Sequence, residues 1–89
     1  MFVIEDNKHS EQVGEYQTQA AALARLKELA SLSWDTEPNR APCTNWKNCG
    51  RSYEVVEYDN SVIPWSEIKR SAALTVDAAG ASWEPEFTH

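Results

Sequence analysis

Strong aliphatic side chains are scarce in this chain. Leu, Ile, Val and Phe supply 16 of its 89 residues. With a net charge of −6, that composition borders on the range of disordered chains. Four Trp and three Tyr argue against disorder, because each buries a large apolar area. The aromatic residues are therefore expected to carry much of the core, with a dimer interface as the other available source.

Glycine is scarce too. Gly14, Gly50 and Gly80 stand alone, so no glycine-rich phosphate loop exists. The two cysteines, Cys43 and Cys49, are too few for a disulfide framework and lack C-x-x-C spacing. The two histidines, His9 and His89, do not complete a zinc ligand set with them. No metal or cofactor is expected. No apolar run approaches the length of a membrane span, and Glu5 and Asp6 interrupt the start where a secretion signal needs bases and an apolar run. The expected setting is cytoplasmic, off the membrane, with Cys43 and Cys49 as buried thiols. Bases are outnumbered as well, eight Lys and Arg against fourteen Asp and Glu. Such a balance disfavours nonspecific nucleic-acid binding, which requires phosphate neutralisation.

What is present centres on Trp34 to Tyr53. That stretch has no helical or strand period, yet it contains both cysteines, Trp46 and the bases Arg40, Lys47 and Arg51. Loops of this length in a small domain are commonly functional. Its buried-type residues predict an ordered loop, mildly basic on an acidic body.

The rest reads as regular structure. Phe2–Asp6 and Val13–Thr18 form two strands joined by a polar loop, with Gly14 at a bulge. Thr18 is a helix N-cap. From Gln19 to Ser33, Ala22, Leu23, Leu26, Leu29 and Ala30 share one face at helical spacing. Ser52–Asp59 is a strand. Pro64–Arg70 suits one helical turn with proline first. Ser71–Asp77 is a strand presenting Ala72, Leu74 and Val76 on one face. A turn at Gly80 leads to a short strand, Ala81–Trp83, and a frayed tail. The expected fold is α+β: one domain over residues 1–89, with an antiparallel sheet of about five strands ordered 2-1-3-4-5 and one amphipathic helix on one face. The second face is left for the long loop, a second copy or water.

The segment Gly14-Glu15-Tyr16-x-Thr18, followed by an alanine- and leucine-rich helix, resembles the ββα openings of several small bacterial proteins. The resemblance covers about a third of the chain and implies no activity.

Function ranks accordingly. First comes a protein–protein interaction module, with a homodimer as one form, that binds through the loop or the uncovered sheet face. Second comes a small-molecule or anion binder using Arg40, Trp46, Lys47 and Arg51, since arginine offers a fork of donors. The competing role for these bases is internal: pairing with nearby carboxylates and carbonyls to fold the loop. Third is an enzyme with Cys49 as nucleophile, for which no base is placed alongside. Trp34 and Trp83 are assigned to the core, and Trp46 and Trp65 are candidate exposed anchors.

Overall fold

The computed structural model describes residues 1–40 and 50–87. Strands β1 (Phe2–Asp6) and β2 (Glu11–Tyr16) form an antiparallel hairpin. Helix α1 (Gln19–Ser31) follows, then β3 (Arg51–Asp59), β4 (Ser66–Asp77) and β5 (Gly80–Trp83), and a 3-10 turn, Pro85–Phe87. The sheet is antiparallel throughout, in the order β2-β1-β3-β4-β5. This is the α+β arrangement and strand order the sequence predicts.

The helix starts where a cap is available. Thr18 Oγ1 accepts from the Ala21 amide at 3.1 Å, satisfying one of the orphan donors of the first turn. Ala22, Leu26 and Leu29 then fall on one face and are fully buried against the sheet, with Leu23 and Ala30 at the margin. On the sheet side they meet Ile4, Tyr53, Val55, Ala73, Leu74 and Val76. Trp34 and Trp83 pack against this core, as expected, and Phe87 joins them from the 3-10 turn.

The helix ends on a side chain. Asn39 is buried, and its Nδ2 donates to the Leu29 carbonyl at 2.8 Å and more weakly to those of Leu32 and Ser33. Its Oδ1 accepts from Tyr53 Oη at 2.8 Å. One asparagine thus joins the end of α1 to β3. The remainder of the expected loop, residues 41–49, lies outside the described residues, and with it the expectations for Cys43, Trp46, Lys47 and Cys49.

Three local readings change. Ser66–Arg70 is not a helical turn but the first part of β4, paired with the end of β3 except at Ile68, where the register slips. A lone turn forms few backbone bonds for the residues it fixes, whereas a strand partner satisfies the backbone directly. The register slips between Tyr53 and Glu54: Tyr53 faces Leu74 and Glu54 faces Ala72, leaving Ala73 as the extra residue. Ala73 is therefore buried and Ala72 exposed, the reverse of strict alternation. The tail is not frayed through Phe87. Glu84 N donates to the Ala73 carbonyl at 2.9 Å, and the 3-10 turn lays Phe87 on the core.

Gly50 marks the entry to β3. A Cβ there would stand 2.6 Å from the Val76 carbonyl oxygen, so only glycine permits this approach to β4. Gly80 has φ of +120° and turns the chain from β4 into β5.

Candidate functional site

The strand alternation sends Val3 and Glu5 of β1, and Glu54, Val56 and Tyr58 of β3, to the face away from α1. Arg70 of β4 lies opposite Val56 and shares that face. Its Nη1 donates to Glu54 at 2.7 Å and to Glu5 at 3.1 Å, and its Nε and Nη2 hold Glu67. Those three carboxylates raise the Arg70 pKa above the ordinary guanidinium value, Glu67 most of all.

Tyr58 crosses the same face. It lies past the Phe2–Glu57 pair, yet its Oη donates to Glu5 at 2.8 Å. Val3 and Val56, both fully buried, pair on this face between Tyr58 and Glu5. The bond to the Glu5 carboxylate, more than burial, raises the Tyr58 phenol above its ordinary pKa. The second face is thus covered by an arginine network and a tyrosine of the same chain.

The end of the β3–β4 hairpin carries Trp65 beside that ring, with centroids 6.0 Å apart and planes tilted by 52°. Trp65 and Tyr58 line an open groove of about 420 Å³. The other described residues lining it are Glu5, Ser10, Glu11, Gln12 and Glu15. The same hairpin end exposes Val62 at 44%, Ile63 at 96% and Ile68 at 59%. These are the exposed large hydrophobic residues among the described ones, and all fall within positions 62–68.

The bases expected to bind a ligand behave differently. Arg51 is buried, and its Nη1 donates to Asp6 at 2.9 Å and to Glu11 at 3.0 Å. Its Nη2 donates to the carbonyl oxygen of Arg40 at 2.8 Å. Arg40 and Arg51 are therefore brought together, but through the backbone of one and in the manner of a brace. Burial lowers the Arg51 pKa and its two carboxylate partners raise it, with a net rise. Its Nε is buried without a hydrogen-bond partner. The Arg40 residue is exposed. Trp46 and Lys47 lie outside the described residues.

Asp6 anchors this brace. One oxygen accepts from the amides of Lys8 and Ser52, the other from His9 Nδ1 and Arg51. Burial pushes its carboxyl up, but the Ser52 amide, His9, Arg51 and the Lys8 amide outweigh burial and hold it below the ordinary carboxyl value.

Trp65 was legible as a possible anchor because it sits in an irregular segment. Glu5, Glu15, Tyr58 and Arg70 were not. Their only signal is outward alternation on strands, which ordinary solvated residues share. Among the described residues, no three His, Cys, Asp or Glu converge as a metal site needs, and no helix is long and apolar enough to cross a membrane. Comparison with protein-family models, with curated proteins and with solved structures finds no match for this chain.

Proposed function

We propose that the protein is an interaction module that docks on another protein through the end of its β3–β4 hairpin. The carrying observation is the concentration of exposed large apolar side chains at positions 62–68, with Ile63 almost wholly in water. Scattered apolar residues on a surface need no explanation, but a cluster at one projecting end marks a contact. Apolar area of this kind gains free energy when a partner removes it from water. The anion-binding alternative has less support, since Arg51 already satisfies Asp6, Glu11 and a backbone carbonyl.

A second copy is not needed to cover Val3 and Val56, because Tyr58 and the Arg70 network lie on their face. Two chains of net charge −6 also repel each other. The favoured partner is a different protein.

The test compares immobilised wild-type protein with a Val62→Ser, Ile63→Ser variant of equal melting temperature. A protein held by the wild type and released by the variant is the expected result. Equal retention by both, or retention by neither, would remove the proposal.

A further inference from the structure

We propose that the groove under Trp65 receives one cationic side chain, lysine or arginine, from the partner that the hairpin end contacts. This rests on the docking reading above and adds what the partner must carry at that place.

Two features converge on a cation. The first is the aromatic wall. Tyr58 and Trp65 are each half-buried and tilted against one another at 6.0 Å, so part of each ring borders the groove. A guanidinium or ammonium over such a ring is attracted by its quadrupole. The second is the local charge. Glu5, Glu11 and Glu15 border the groove, and among the described residues no Lys or Arg does. Two nearby guanidiniums are already shared out: Arg51 serves Asp6 and Glu11, and Arg70 serves Glu5, Glu54 and Glu67. Five carboxylates thus divide two guanidiniums. Glu15, which also lines the groove, accepts an amide proton from Gln12 at 3.3 Å and has no base paired with it among the described residues. An entering cation finds a carboxylate to pair with and a ring to lie on.

The place is also right. Trp65 follows Ile63 by two residues, so their Cα atoms lie within about 7 Å. A partner seated on Ile63 has the groove within one side chain's length. The other occupants fit less well. An anion would meet three glutamates. A bare divalent ion would want converging carboxylates, and the described residues offer no such set. A second copy would bring its own excess of negative charge.

The probe is the capped tripeptide acetyl-Gly-Arg-Gly-amide, with the citrulline analogue as its uncharged isostere. It is titrated into 15N-labelled full-length protein at low salt. Expected are shifts centred on the Gln12 and Glu15 amides and the Trp65 indole N–H, absent with citrulline and weakened by salt. Trp65→Leu should weaken binding roughly two- to fivefold, the loss of one exposed cation–aromatic contact. Glu15→Gln alters only an exposed side chain, so it tests the same site if Trp65→Leu fails to fold. Ile63→Ser should leave tripeptide binding unchanged while abolishing partner capture, which separates this inference from the docking proposal. Equal binding of arginine and citrulline peptides, or unchanged binding with Glu15→Gln, would overturn the cation site and leave the hairpin contact standing.

Discussion

Asp6 has no solvent exposure, and its two oxygens receive four donors from two parts of the chain, Lys8–His9 and Arg51–Ser52. Breaking a buried ion pair leaves the other charge stranded in low dielectric, so Asp6→Asn should destabilise by about 3–5 kcal/mol in urea unfolding. The pH dependence has a definite sign. The folded carboxyl titrates below the ordinary value, so the unfolded chain binds more protons in that window. The contribution is complete above the ordinary carboxyl pKa and is lost as pH falls through the folded one. Asp6→Asn should flatten this acid limb. Tyr53 gives the opposite case. Burial pushes its phenol up to about 12 from 10.0, so its contribution is present below pH 10 and fades towards pH 12. Tyr53→Phe should weaken the alkaline limb while leaving Asn39 Oδ1 without its donor. Stability curves that are superimposable for wild type and variant would contradict either assignment. None of these roles was written in the sequence beyond residue type. Asp6 looked like the polar end of a strand, and its partners Ser52 and Arg51 are 46 and 45 residues away.

At the scale of elements, the helix was the most legible part, because its apolar spacing and its Thr18 cap are local properties of the sequence. Leu26 is fully buried in the core, so Leu26→Ala should cost about 2–5 kcal/mol, measured by chemical denaturation. The C-terminal end of α1 was not legible. The Leu32 amide caps the Leu29 carbonyl locally, and Asn39 reaches back ten residues to add a second donor to it. Asn39→Ala would leave the Tyr53 hydroxyl without its acceptor, at about 1–3 kcal/mol for one buried group, while the Leu29 carbonyl keeps the Leu32 amide. Faster amide exchange in the last turn of α1, with β4 unaffected, is the accompanying signature; uniform loosening would mean Asn39 is only a core filler. The start of β4 was misread for a related reason. Pro64 suggested a helix start, and only the long-range pairing with Glu57, Tyr58 and Asp59 reveals a strand. The bulge that buries Ala73 is likewise a property of two strands together and has no signature in one.

For the whole molecule, the strand order followed from simple constraints: a hairpin, a helix returning the chain to the far side of β1, then two further antiparallel pairings. The second face did not follow, since Arg70 meets Glu5 from 65 residues away. That network makes the face a balance of charges rather than a bare apolar surface. Arg70 is the common partner of Glu5, Glu54 and Glu67. Replacing it with glutamine keeps a donor but removes the charge, so three carboxylates on one face would repel each other. The expected result is a lower melting temperature for Arg70→Gln at low salt, with partial recovery as salt rises. The reason is screening: the Debye length falls from about 10 Å at 0.1 M to about 3 Å at 1 M, inside the spacing of surface charges. The wild type, whose carboxylates are already paired, should gain less over the same range. A deficit that stays constant in salt would mean that Arg70 acts mainly through its aliphatic stem, packed over the row of Val3 and Val56.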